Sequence, residues 1–145
     1  MKMKKTERRS VVQSLVEIPF LLLMGGVSYF GIELAFRGWS HWTMVLSGAF
    51  LFLFLYRLNE RLCERSVFLC ALIGACVITG VELLLGSLVN LWLGWDVWDY
   101  SNQPYHLLGQ ICPLFSLLWY LLCVPVCFFC RLIRKTVFEN RHDPD

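Results

Sequence analysis

Glu33 and Glu82 stand inside long apolar runs, and Asp96 and Asp99 follow the second of these in the stretch WLGWDVWDYSNQPYHLLGQ. A carboxylate in a lipid-embedded segment costs several kcal/mol unless it is paired, protonated or hydrated, so each of these acids needs a chemical reason. Arg37 lies four residues after Glu33, a spacing that pairs the two on one helical face. Counting about 1.5 Å per residue from the basic ends of the apolar runs puts Glu33 and Glu82 roughly 20 to 27 Å up. Arg37, His41, Asn90, Asp96, Asp99, His106 and Gln110 share that level. The expected chemistry is recognition of a cationic or hydrogen-bonding ligand by Glu33, Arg37, His41, Glu82, Asn90, Asp96, Asp99, Tyr100 and Gln110. Two readings remain open. In one, Glu82 changes protonation as part of a binding site. In the other, Arg37 balances Glu33 or Glu82 in a buried network that fixes helix packing.

Spacing sharpens part of this set. Thr79, Glu82, Gly86 and Asn90 recur at i, i+3, i+7 and i+11, one narrow helical stripe, which turns Glu82 toward protein. Trp92, Trp95, Trp98 and Tyr100 fit interfacial anchors, while Asp96 and Asp99 between them make an acidic, aromatic surface able to hold a cation. Enzyme chemistry is weakly supported, and no enzyme is expected: there is no Walker A sequence, no paired-histidine metal motif and no Gly-x-Ser-x-Gly elbow. His41, His106 and Asp99 have no spacing that demands an acid-base pair. Cys123, Cys127 and Cys130 share a helical face, but no His or further Cys completes a metal-ligand pattern. The cysteines are expected to be reduced packing residues, with no metal or cofactor.

The elements that must position these residues follow from composition. The 145 residues are 57% hydrophobic and 17% charged, with the apolar residues in blocks. Four blocks approach the roughly 20 residues that a spanning helix needs, at 15–36, 42–58, 67–91 and 107–130. The expectation is an all-α integral membrane protein, one four-helix domain over 1–145, in contact with lipid and not with nucleic acid. Twelve of the thirteen Lys and Arg residues fall before the first block, between the second and third, and after the fourth. The positive-inside rule makes that side cytoplasmic, with both termini inside and the 92–106 stretch outside. The first block reads as an uncleaved anchor, since SYFGIELAFRGW lacks a small-x-small cleavage site. Gly31 and Ala35 form a small-xxx-small pair for helix contact. Pro125 is expected to kink the last helix or mark its inner end. RLNERLCERS, at 57–66, is either an interfacial helix or a solvated connection, and Arg57, Asn59, Glu60, Arg61 and Arg65 are its candidate partner contacts.

WDYSNQPYHLLGQICPLFSLLW, with FGIELAFRGWSHWTM in the first hairpin and LNE after the second helix, resembles the small bacterial membrane proteins grouped as "Putative ABC-transporter type IV". The resemblance runs from Tyr29 to Trp119 and departs at Tyr105-His106, where a phenylalanine and an asparagine are expected. It implies a multi-pass protein of the bacterial cytoplasmic membrane that acts as a permease-type subunit. It also implies a separate ATPase, because this chain has no phosphate-binding loop, and further membrane subunits in a homo- or hetero-oligomer. The Arg57 to Ser66 connection would touch the ATPase. The competing expectation is a non-transporting scaffold, sensor or accessory subunit that binds a partner or an envelope component through its outer loop.

Overall fold

The computed structural model describes residues 11–62 and 66–139, with side chains from Leu15 to Thr136 outside that gap. Arg65, Cys63 and the N-terminal basic cluster lie outside the described residues. The described chain is helical, with helices α1 (Val11–Arg37), α2 (Trp42–Leu62), α3 (Val67–Gly86) and α4 (Pro113–Ile133). Four stretches are long and apolar enough to cross a membrane: Leu15–Arg37, Trp42–Leu62, Val67–Trp92 and Pro113–Thr136. The protein is a multi-pass membrane protein.

Residues Met1–Leu53 and Phe54–Asp145 form two compact units. In the first, α1 meets the start of α2 through glycines. The Cβ that Gly25 lacks would strike Phe52 and the Gly48 backbone, and one on Gly48 would strike Tyr29. Close backbone approach of this kind is how helices gain packing energy where lipid removes the hydrophobic drive between them. The expected pair Gly31 and Ala35 does not provide the contact: both are exposed, and nothing lies within 4 Å of a Cβ on Gly31. Pro19 sits inside α1 without ending it. His41 caps α2, its Nδ1 accepting the Thr43 N–H at 3.4 Å and contacting the Thr43 hydroxyl at 2.8 Å, which satisfies donors that a helix start leaves open.

In the second unit, α3 packs on α4, and the end of α2 joins them. Ser66 caps α3 by accepting the Leu69 N–H. Gly74 lets the Leu55 side chain and Cys123 Sγ close on α3. Asn59 Nδ2 donates to the Cys127 carbonyl at 2.9 Å. Val67, Cys70 and Cys127 form a buried cluster beside Leu58 and Val124. The cysteines Cys70, Cys112, Cys123, Cys127 and Cys130 are buried, Cys76 is exposed, and all six are free.

Three boundaries differ from expectation. α2 runs on through Arg57 to Leu62 as one helix, so the first half of the 57–66 connection is the end of a span. α4 does not end at Pro125 but carries it inside and runs on to Ile133. It also starts at Pro113 and not at Leu107. Cys112 is extended, as a residue before proline prefers, and Pro113 takes the first helical position, where its missing N–H is harmless.

Candidate functional site

The expected stripe on α3 is present, and α4 with the 93–112 loop supplies what it meets. At its base the Thr79 hydroxyl donates to Ser116 Oγ at 3.2 Å. Above it Glu82, 6% exposed, accepts the indole N–H of Trp119 on Oε2 at 2.7 Å. Tyr100, reaching in from the loop, also hydrogen-bonds the Glu82 carboxyl group. The Tyr100 ring stacks on Phe115 with centroids 4.3 Å apart, so the ring and its hydroxyl are both committed. A buried carboxyl group in a spanning segment is thus held by two neutral partners from two different elements.

The upper stripe docks the loop. A Cβ on Gly86 would overlap the Gln110 side chain and the Trp98 ring, so only a bare backbone admits them this close. α3 ends in a π-helical segment, Ser87–Trp92, closed by the Leu93 N–H to Leu88 O bond. Within it Asn90 points at the loop: Nδ2 donates to Trp98 O at 2.9 Å and to Gln110 Oε1 at 2.7 Å, and Oδ1 accepts the Val97 N–H at 2.7 Å. Trp98 Nε1 donates to the Gln110 carbonyl at 3.0 Å, and Gln110 Nε2 to the Leu108 carbonyl at 3.0 Å. Both amides are buried. Asn90 therefore spends both its donors and its oxygen on the loop, and Gln110 accepts from Asn90 and donates to Leu108, so the two amides, expected as ligand contacts, clasp the loop to the end of α3.

The remaining loop candidates are at the surface. Asp96 is exposed and takes a left-handed φ of 49°. Asp99 is exposed and accepts the Ser101 N–H at 2.8 Å and its hydroxyl at 2.5 Å. The Ser101 hydroxyl, then its N–H, hold the Asp99 carboxyl below its ordinary value of 3.8, with a smaller contribution from nearby His106 and a weak opposing effect of burial. His106 Nδ1 accepts the Gly109 N–H at 3.1 Å.

In the first unit Glu33 is buried and paired with Arg37 at 3.1 Å. Its other oxygen accepts a hydrogen bond from the Ser40 hydroxyl, and Arg37 lies over the Trp39 ring at 4.4 Å. Glutamate, guanidinium and indole thus meet at the end of α1. His41 serves the α2 start described above.

Of the expected partner contacts, Asn59 needs correction. It is 2% exposed and bonded to α4, because it faces the unit's interior one turn from Tyr56. Arg57 and Glu60 pair at 3.1 Å on a half-exposed face, and Arg61 is exposed. Among the described residues no cluster of three or more His, Cys, Asp or Glu could hold a metal.

Residues 43–143 match the family described as Putative ABC-transporter type IV. The chain belongs to this family. No curated protein and no solved structure matched it. The match starts later than the resemblance along the first hairpin and continues past Trp119, so it takes in α2, α3, the loop and α4 while Glu33, Arg37 and His41 precede it. The family's name places the chain among ABC-transporter-related membrane proteins. Within this family member, the polar groups that α3, α4 and the loop bring together all lie inside the matched region.

Trp119, Phe115, Ser116 and Trp98 were not among the expected site residues. A signal for three of them existed. The Cys127 and Cys123 stripe extends by steps of four to Trp119 and Phe115, beside Ser116, which marks the face of α4 that meets α3.

Proposed function

We propose that the chain is the membrane subunit of a two-component ABC-type transporter, acting with an ATPase on a separate chain. Its intramembrane polar element is the Glu82, Tyr100 and Trp119 constellation. The observation that carries this reading is Glu82 itself, a buried carboxyl group in a spanning helix held by groups that leave its charge open to change. Trp119 Nε1 can only donate, whereas the Tyr100 hydroxyl can donate or accept, so the site accommodates either protonation state. Intramembrane ionisable groups are expensive and mark solute or proton paths. The exposed Arg61, beside the half-exposed Arg57–Glu60 pair at the expected cytoplasmic end of α2, supplies a contact for the ATPase. Four helices are few to enclose a solute path, so a homo- or hetero-oligomer belongs to this reading, as does a bacterial cytoplasmic membrane with both termini inside. No part of it requires a cofactor.

The test combines two measurements. An ATPase should co-purify with the chain and be lost on Arg57→Glu/Arg61→Glu double substitution. Glu82→Gln should give normal protein abundance without solute flux. A chain that purifies alone, and whose deletion leaves fluxes unchanged, is instead a scaffold or accessory subunit. The observation favouring that second reading is the rigidly clasped loop, which presents Asp96 and Asp99 at a fixed surface.

A further inference from the structure

The loop between α3 and α4 is folded down beside the helices, and its depth can be read from helix register. Thr79 on α3 bonds Ser116 on α4. The helices are antiparallel, so Pro113, the first residue of α4, lies near the level of Glu82. α3 and its π-helical end continue from there to Trp92, roughly 12 to 15 Å further at about 1.5 Å per residue or slightly less. The loop fills the step this leaves above α4. Tyr100 descends to Glu82, and Trp98 lies against Gly86. Both contacts are made within the Val67–Trp92 span.

Irregular backbone at that depth is tolerated only where its polar groups have partners. They do here. Asn90 serves Val97 N–H and Trp98 O, Tyr100 N–H donates to Gly109 O at 2.7 Å, Leu107 and Ile111 form an isolated bridge, and Gln110 Nε2 takes Leu108 O. The same fold turns apolar side chains outward. Tyr105 and Leu108, bulky residues, hold left-handed φ values of 57° and 55°, a conformation that costs on the order of 1 kcal/mol or more and persists only where surrounding contacts impose it. Tyr105 is 89% exposed, and Leu107 and Leu108 are exposed as well. The bridge to Ile111 fixes Leu107 near the start of α4, so this rim sits beside the spanning segment and not above it. Among the exposed polar residues, Asp96, Asp99, Ser101 and Asn102 occupy the earlier half of the loop, while His106 lies in the later half with its Nδ1 turned back onto the Gly109 N–H.

We infer that the 93–112 loop is a re-entrant segment seated in the interfacial layer of the bilayer, with Tyr105, Leu107 and Leu108 in contact with lipid and the 96–102 half facing water. The hydrocarbon core is about 30 Å thick and the whole bilayer about 40 to 45 Å, so the step above α4 coincides with the headgroup layer. Tyrosine and leucine at that level gain from burial against acyl chains. Asp96 and Asp99, with no lysine or arginine between Arg65 and Arg131, give the loop no attraction for anionic headgroups. Its partner is therefore the apolar and zwitterionic part of the lipid surface.

The test places a fluorophore at Leu108→Cys or at Asn102→Cys, in the full chain with Cys63 and Cys76 replaced by serine, reconstituted in phosphatidylcholine vesicles. The Leu108 label should lose most of its emission to a nitroxide on the upper acyl chain and resist aqueous iodide, and the Asn102 label should do the opposite. A Leu108 label quenched by iodide as fully as the Asn102 label places the rim in water and overturns the inference. A Leu108 label reached by neither quencher means that protein covers the rim, and overturns it equally. Hydrogen exchange of the unlabelled, unsubstituted protein in vesicles guards against misfolded variants: amides of 105–111 should exchange more slowly than those of 101–103, and equal fast exchange across both contradicts the inference.

Discussion

At the scale of single residues, what distinguishes Glu82 from Glu33 is the chemistry of the partner. Glu33 has a guanidinium and a serine hydroxyl, a pairing that fixes its side chain at the end of α1. Glu82 has an indole and a phenol. Trp119→Phe keeps the aromatic volume and removes one donor from a buried acceptor. It should lower stability by about 1 to 3 kcal/mol, read from the thermal unfolding midpoint in detergent. Asp99 offers a separate test in the loop. Its folded value lies below that of the unfolded chain, so the Asp99 contribution to stability is complete above about pH 4 and is lost as pH falls through the folded value. Ser101→Ala should return the carboxyl titration toward 3.8, the ordinary value, as followed by isotope-edited NMR of the aspartates. An unchanged titration would mean that Ser101 is not what holds it down.

At the scale of elements, the α3, α4 and loop assembly depends on places where a side chain would not fit or an amide cannot be spared. Gly86→Val puts volume where Trp98 and Gln110 now lie. It should cost about 1 to 3 kcal/mol and open the loop to protease before the helices unfold. Asn59→Ala removes the bond from α2 to the Cys127 carbonyl, with an expected loss of about 1 kcal/mol in denaturant unfolding. The helices themselves were legible in the sequence, because blocks of leucine, phenylalanine and valine of spanning length have few alternatives. The stripe from Thr79 to Asn90 was legible for the same reason, since periodicity survives whatever the partners are. The start of α4 was misplaced because Leu107 to Cys112 is apolar enough to continue a helix, and the bridge that diverts it depends on a contact formed only in the folded loop. The charged neighbours Arg57, Glu60 and Arg61 suggest a surface at Asn59, whereas helical geometry turns position 59 inward.

At the scale of the whole molecule, the charge distribution, more than any contact, carries the expectation of orientation. A label on Asn102→Cys should react with a membrane-impermeant thiol reagent from the non-cytoplasmic side in intact cells and be blocked in inverted vesicles. Reaction only from the cytoplasmic side would reverse the assignment of the loop and of both termini. The pairing of Asn90 with Gln110 was not legible in the sequence, because two polar residues twenty positions apart become partners only once the loop folds back on the end of α3.

The clasp formed by Asn90, Trp98 and Gln110 also determines how this protein can be handled. Because the 96–102 surface depends on backbone that those three residues help to hold in place, it is a conformational epitope: a nanobody selected on folded protein should fail on a linear peptide of the same residues. Such a binder would report, molecule by molecule, whether the segment between α3 and α4 is intact.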